Sequence, residues 1–327
     1  MKMSKVISNV DRVFAIELAR VTEAAAVSAS LMVGRGDEKA ADQAAVDAMR
    51  RALNDVAIDG TVVIGEGERD EAPMLYIGER VGTGHGPKVD IALDPLEGTT
   101  ICAKAMPNSL AVLALAENGG FLNAPDVYMA KIAIGSGYPI GLVDLDADPA
   151  DNVRALAKAK GVSVGEITAC VMDRPRHAEL IAKLRDAGAR VKLIGDGDVA
   201  GVIDTTNPEE TGVDIYIGTG GAPEGVLAAA ALRCTGGQMQ GRLIFPNEDS
   251  KARARRMGVA DLERKYALED LAKGDVVFAA TGVTDGSMLQ GVKRGSGWIS
   301  THTIVMRSST KTIRWIKARH TDMSKFI

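Results

Sequence analysis

In Val89-Asp-Ile-Ala-Leu-Asp-Pro-Leu-Glu-Gly-Thr-Thr100 a short apolar run gives way to two acids, a proline and a glycine. Val89 to Leu93 has the composition of a short buried strand. Asp94 ends it, Pro95 enforces a turn, and Glu97 follows three positions later, so both carboxylates can converge on one hard cation. Gly98 permits close backbone approach. Thr99 and Thr100 offer hydroxyls and N–H groups where a helix starts, an arrangement that suits a phosphate. The same string also reads as a capped turn, because Asp-Pro and Glu-Gly are common there, so its surroundings must decide.

Upstream, Thr61-Val-Val-Ile64 is another short strand, and it runs directly into Gly65-Glu66-Gly67-Glu68-Arg69-Asp70-Glu71. Charge at that density beside a second carboxylate cluster is hard to hold without cations. Glu66, nearest the strand end, is the first ligand candidate and Glu68 the second. Further upstream, steps of three and four residues put Phe14, Leu18, Val21, Ala25, Ser28 and Met32 on one helical face, with Gly34 as a stop. A second helix begins near Glu38 and carries Val46, Met49 and Leu53 on one stripe. Asp42 lies on that stripe, one turn before Val46. An acid early in a helix is favoured by the macrodipole, so Asp42 has an ordinary explanation beside a functional one.

Downstream, strands are expected at Leu110 to Leu115 and around Tyr128 to Ile134, and the polar, turn-rich run from Asp144 to Asp151 resembles a boundary. This divides the chain into an N-terminal α+β half, residues 1–165, and a C-terminal α/β half, residues 166–327. In the second half strand and helix alternate: Thr168 to Met172, a helix from about His177 to Ala187, Val191 to Ile194, then Asp196-Gly197-Asp198 and a short helix. Val213 to Ile217 then runs into Gly218-Thr-Gly-Gly-Ala-Pro-Glu-Gly225 and an Ala-rich helix ending near Cys234. Such repetition favours parallel strands with ligand sites at their ends.

One such end delivers Glu224, after Pro223 in the first turn of a helix, where an acid is also favoured on its own account. Each acid is ambiguous alone, and their common location is the stronger argument. The charged run from Asp249 to Arg256 reads as a solvated helix face. By residue type alone, Tyr128 reads as a packed core residue, Arg174 and Arg176 as a surface pair, and Asp196 and Asp198 as helix caps as readily as sugar ligands. His177 has no partner visible in sequence.

With 327 residues, 46% hydrophobic and 25% charged, the chain has a globular composition and room for a large core. Aromatics are 4%, so Ala, Val, Ile and Leu must fill that core. A net charge of −4 argues against nucleic-acid and anionic-membrane partners, which need a basic face, and an anionic substrate needs local positive charge. No apolar run approaches the ~20 residues of a membrane helix, and Asp11, Glu17 and Glu23 are unlike a secretory signal, so a cytoplasmic location is expected. The three cysteines, Cys102, Cys170 and Cys234, form no Cys-x-x-Cys pair and read as buried thiols. Gly218-Thr-Gly220 after a strand hints at a nicotinamide-dependent dehydrogenase, but Pro223 stands where the fingerprint needs its third glycine.

Asp94-Pro-Leu-Glu-Gly-Thr99 resembles the Asp-Pro-(Ile/Leu)-Asp-Gly-(Ser/Thr) signature of the lithium-sensitive sugar phosphatase superfamily, with Glu97 in place of the second Asp. Taken with Gly34-Arg-Gly-Asp37, Ile64-Gly-Glu-Gly-Glu68, Arg174-Pro-Arg-His177 and Gly220-Gly-Ala-Pro-Glu-Gly225, it is similar to the class II fructose-1,6-bisphosphatases over nearly the whole chain. The resemblance implies a layered α/β/α/β/α fold. It implies metal ligands Asp42 and Glu66 at one position and Asp94, Glu97 and Glu224 at another, for Mn²⁺ or Mg²⁺. Thr99 would be the catalytic hydroxyl, with Asp42 as its proton acceptor. Substrate contacts would come from Glu97, Gly98, Thr99, Tyr128, Arg174, Pro175, Arg176, Asp196, Gly197, Asp198 and Gly221.

The implied reaction is hydrolysis of the 1-phosphate of fructose 1,6-bisphosphate to fructose 6-phosphate and phosphate, in gluconeogenesis or Calvin-type carbon metabolism, by a homo-oligomer, dimer or tetramer. Sedoheptulose 1,7-bisphosphate is a further candidate substrate. An inositol-monophosphatase-like phosphatase and a non-catalytic sugar-phosphate sensor are the alternative readings.

Overall fold

The computed structural model describes residues 10–67 and 74–326, so Glu68 and the acids that follow it lie outside the described residues. The chain opens with α1 (Val10–Ala29), α2 (Glu38–Asn54), β1 (Asp59–Ile64), β2 (Arg80–Val81), β3 (Lys88–Glu97), α3 (Thr99–Ala103), β4 (Leu110–Glu117) and β5 (Tyr128–Ile134). It continues through α4 (Pro149–Lys160), β6 (Thr168–Met172), α5 (Ala178–Asp186), β7 (Arg190–Ile194), α6 (Asp198–Asp204), α7 (Pro208–Thr211), β8 (Ile215–Gly221), α8 (Ala222–Thr235), β9 (Gln238–Ile244) and α9 (Glu248–Arg256). The last elements are β10 (Tyr266–Ala267), α10 (Leu268–Leu271), β11 (Val276–Gly282), β12 (Lys293–Gly295), β13 (Trp298–Arg307) and β14 (Thr312–His320).

Two sheets result. The first has the order β12-β13-β11-β4-β3-β1-β2, with β14 paired to β13, and the second β10-β9-β5-β8-β6-β7. Each sheet draws strands from both sides of residue 165: β5 joins the second sheet, and β11 to β14 return to the first. Among the described residues, parallel pairing is confined to β1 with β3 and to β6 with β7 and β8.

Side-chain alternation sorts the core into layers. Ile91, Leu93, Leu113 and Leu115 point to one face of the first sheet, where Leu18, Val21, Val46 and Met49 of α1 and α2 cover them. Ala92, Val112 and Ala114 point to the other face, against α8, with Met129 and Ala133 of the second sheet beyond it. Ile132, Ile134, Ala169 and Val171 point outward onto α4 and α5. The stack is therefore α/β/α/β/α, as the resemblance implies. α8 lies between two sheets, which explains its composition: Ala228 to Ala231 are at most 1% exposed, and a larger residue there would overpack the middle layer.

Two strands run further than the sequence suggests. β3 does not end at Asp94; Asp94 pairs with Val112 and Glu97 with Leu110, a bulge that absorbs Pro95, which has no N–H for the ladder. Asp94 and Glu97, an odd number of residues apart, would face opposite sides of a regular strand, and the extra residue turns both to the same side. β8 likewise continues through Gly218 to Gly221 instead of breaking into a loop, because β5 supplies a partner up to Tyr128 opposite Gly221. Beyond the turn-rich boundary, α4 starts at Pro149 with Asp148 as its cap, an element not expected from the sequence.

Candidate active site

Seven acids line a cleft of about 300 Å³ between the sheets: Asp42 from α2, Glu66 just past β1, Asp94 and Glu97 from the β3 bulge, Glu224 from the first turn of α8, and Asp126 and Asp196 from loops at its edge. Gly98 and Thr99, at the start of α3, line the same cleft. Ligand oxygens of Asp94, Glu97 and Glu224 all lie within 4.8 Å of one another. Their fixing is local. The Asp94 carboxylate accepts the N–H of Leu96 at 3.0 Å, and Glu97 Oε1 accepts the Val199 N–H of α6 at 3.0 Å.

Crowding and burial act on these acids together. Burial is the largest cause in each case: it raises Asp42, lifts Glu66 well above the usual carboxylate range with help from Asp42, Asp94 and Glu224, and lifts Asp94 to about 6. Burial, then the charges of Asp94 and Asp198, raise Glu97 strongly. Glu224 rises to about 7 by burial and the nearby Asp198. Its Oε2 is buried without a hydrogen-bond partner. A buried oxygen left unpaired is costly. An all-oxygen donor set with one orphaned oxygen is the chemistry a hard divalent cation completes, so the residues fit such an ion.

A second cavity of about 730 Å³ adjoins the cleft and shares Glu97, Asp126, Asp196 and Glu224 with it. Tyr128, Arg174, Arg176, Asp198, Gly220 and Gly221 also line it. Tyr128 is 52% exposed rather than packed in the core, because it sits at the end of β5 where the sheet opens onto the cavity. The Arg176 guanidinium lies 4.8 Å over its ring and donates from Nε and Nη2 to the Thr219 carbonyl at 3.1 and 2.7 Å. Arg174 is 3.9 Å from Asp196. Pro175 and Gly197 shape the adjacent turns and line neither cavity.

Three features escaped the sequence reading. Lys131, in the middle of β5 and fully buried, bonds Asp198 and donates to the Gly221 carbonyl at 2.7 Å. A lone charge inside an apolar strand was the available signal. At Gly220 a Cβ would collide with Asp198 Oδ2 and at Gly221 with Glu224 Oε2, so these glycines make room for two carboxylates. The charged helix α9 is not simply a solvated face: Asp249, Ser250, Arg253 and Arg256 line the cavity. His177 does have partners. Its Nδ1 meets the Met172 carbonyl at 2.7 Å and its Nε2 accepts the Thr219 N–H at 2.8 Å, which clamps β6 to β8 and leaves neither nitrogen for catalysis. All three cysteines are free and buried, and burial pushes the Cys102 thiol up to about 11 and Cys170 to about 12. No helix among the described residues is long and apolar enough to cross a membrane.

The comparisons with known proteins bear on the family of the chain. A family model described as bacterial fructose-1,6-bisphosphatase, glpX-encoded, matches residues 12–320. The fructose-1,6-bisphosphatase 1 class 2 of Escherichia coli (strain K12) is 47% identical over 323 residues, covering 94% of this chain and 95% of that protein. The fructose-1,6-bisphosphatase class 2 of Shigella flexneri matches with the same identity and coverage. A solved inositol monophosphatase from Anabaena (Nostoc) sp. PCC 7120 aligns over 58% of this chain and 70% of its own at 16% identity and a TM-score of 0.30, too low to carry an argument. The match over nearly the whole chain, on top of the acidic cleft and its arginine-lined neighbour, places this phosphatase in the class II, glpX-encoded fructose-1,6-bisphosphatase family.

Proposed function

We propose that the chain hydrolyses the 1-phosphate of fructose 1,6-bisphosphate, giving fructose 6-phosphate and inorganic phosphate. The observation that carries this reading is the continuity of two unlike spaces: the carboxylate cleft opens into a cavity lined by arginines, as a molecule with a reacting phosphate and a distal phosphate requires. Asp42 and Glu66 would hold one divalent cation, and Asp94, Glu97 and Glu224 another, Mn²⁺ or Mg²⁺. Bound there, such ions supply positive charge to the ester oxygens and acidify water.

The protein's own groups do the rest. The backbone N–H groups at Gly98 and Thr99 face the reacting phosphate. The Thr99 hydroxyl orients the attacking water, and Asp42, whose carboxyl is raised by burial, accepts the proton. Asp196 and Asp198 accept hydrogen bonds from sugar hydroxyls, with Lys131 fixing Asp198 from behind. Arg174 and Arg176, with Tyr128 and Gly221, receive the distal phosphate through forked, charge-assisted bonds. The size of the cavity leaves room for one more carbon, so sedoheptulose 1,7-bisphosphate belongs within the proposal.

An inositol monophosphate would leave the arginines facing no anion, and a sensor would have no use for the full acidic set. Phosphate release measured with Mn²⁺ on fructose 1,6-bisphosphate, sedoheptulose 1,7-bisphosphate and inositol 1-phosphate decides among them. Turnover of the bisphosphates over the inositol ester is expected; preference for the inositol ester, or saturable binding without turnover, would reject the reading.

A further inference from the structure

The face that α9 turns toward the cavity carries more chemistry than a solvated helix needs. Asp249, Arg253 and Arg256 follow one another at steps of four and three residues, so they share a face, while Arg255 points away from it. Ala254, buried on a third side, fixes this orientation. The cavity is thus lined by four arginines from two elements: Arg174 and Arg176 from the turn after β6, and Arg253 and Arg256 from α9.

They are not equally available. Arg176 spends Nε and Nη2 on the Thr219 carbonyl, Arg174 faces Asp196, and Arg253 donates Nη2 to the Asp126 carbonyl at 2.7 Å. That last bond ties α9 to the loop before β5. Arg256 alone of the four makes no hydrogen bond or ion pair with the described residues, and its side chain is exposed. Asp249, the acid on the same face, stands seven residues earlier, roughly 10 Å along the helix axis, so the end near Arg256 is the cationic one.

We propose that Arg256 is a specificity-determining residue of this phosphatase: its guanidinium closes on the distal phosphate of the bisphosphate from α9, in addition to Arg174 and Arg176. A planar fork with all its N–H groups uncommitted suits a phosphate dianion. The inference rests on the sugar bisphosphate reading above and assigns to α9 the discrimination between a bisphosphate and a monoester with the same reacting end.

The test compares fructose 1,6-bisphosphate with fructose 1-phosphate, assayed with Mn²⁺ on the wild type, Arg256→Gln and Arg255→Gln. Loss of one exposed charge-assisted contact should raise KM for the bisphosphate about tenfold, with kcat within about twofold. For fructose 1-phosphate, kcat/KM should not move, and Arg255→Gln should match the wild type on both esters. Arg256→Lys should recover part of the loss, since charge returns without the fork. An unchanged KM in Arg256→Gln, or an equal loss on both esters, overturns the role of Arg256 alone. Failure of the wild type to hydrolyse the bisphosphate at all overturns this inference together with the reading beneath it.

Discussion

The two adjoining spaces are built on opposite electrostatic principles. In the cleft, Asp42, Glu66, Asp94, Glu97 and Glu224 are crowded together, Glu97 buried and the other four half-buried, and burial raises all five. In the cavity, Arg174 and Arg176 stay partly in water and are steadied by a backbone carbonyl, an aromatic ring and a neighbouring acid. Buried like charges are stable only when something of opposite sign joins them, whereas exposed, locally paired cations cost little to keep. The two spaces therefore divide the labour. Changes in the cleft should act on the chemical step and on the protein's response to cations, and changes in the cavity should act on binding.

The harshest way to break that contrast is to remove the cations. Exhaustive chelation should abolish turnover, and adding Mn²⁺ should restore it; full activity with metal absence verified by elemental analysis would sink the cation-filled cleft. The metal-free protein should also show a signed pH response. Glu224 is raised from 4.5 to about 7 in the folded state, so its contribution to stability is present in full below 4.5 and is lost as pH rises through about 7. Glu66 and Glu97 shift in the same direction. Melting of the chelated protein should therefore occur at a lower temperature at pH 8 than at pH 5, and Mn²⁺ should stabilise more at pH 8. Equal Mn²⁺ stabilisation at both values would contradict the crowding argument.

Next in size is Thr99→Ala. If the hydroxyl orients the attacking water, kcat should fall by roughly 10²–10⁴-fold, the range for a positioned proton-transfer group, while Mn²⁺ affinity and KM change far less. Thr99→Ser should recover part of the rate. A stable Ala variant with native kcat would reduce Thr99 to a residue at the start of α3.

How much of this was open to the sequence depends on what each residue answers to. Asp94, Glu97, Glu66 and Glu224 were legible because they follow apolar runs, and a strand end is a local signal. The bulge that turns Asp94 and Glu97 to one side was not, since it exists only against the register of β4. β8 looked like a glycine loop because its continuation depends on β5, more than 80 residues earlier. β11 to β14 gave no local cue that they complete the first sheet. The helix of α9 was readable, but its cavity-facing side was not, because a ligand-facing surface and a solvent-facing one are equally polar.

Lys131→Met probes the seam between the two spaces. The lysine is buried between Asp198, on the cavity side, and the Gly221 carbonyl that precedes Glu224. Removing its charge leaves Asp198 buried and unpaired, which should cost about 3–5 kcal/mol of stability. Urea unfolding reads this directly. A loss under about 1 kcal/mol would mean that water or a cation already serves Asp198, and the two spaces would then be less firmly joined than the ion pair indicates.

The mildest perturbation is on the cavity side, at Arg174 and Arg176. If each donates to a distal phosphate that does not react, as proposed, its interaction is the same in the ground state and the transition state, and its loss should appear in KM rather than kcat. One charge-assisted bond is worth about 1.5–3 kcal/mol, so Arg174→Ala or Arg176→Ala should raise KM roughly 10- to 100-fold. The two need not be equal. Arg176 is held by the Thr219 carbonyl and the Tyr128 ring, so less side-chain entropy is lost when it binds, and its removal also frees Tyr128. Arg174 must give up Asp196 to reach the phosphate, which discounts its net contribution. The larger KM effect is therefore expected for Arg176, with melting temperature unchanged in Arg174→Ala. Steady-state kinetics on both variants settles the point: unchanged KM in both, with folding intact, would take the arginines out of the site, and a fall in kcat matching that of Thr99→Ala would erase the contrast between cleft and cavity.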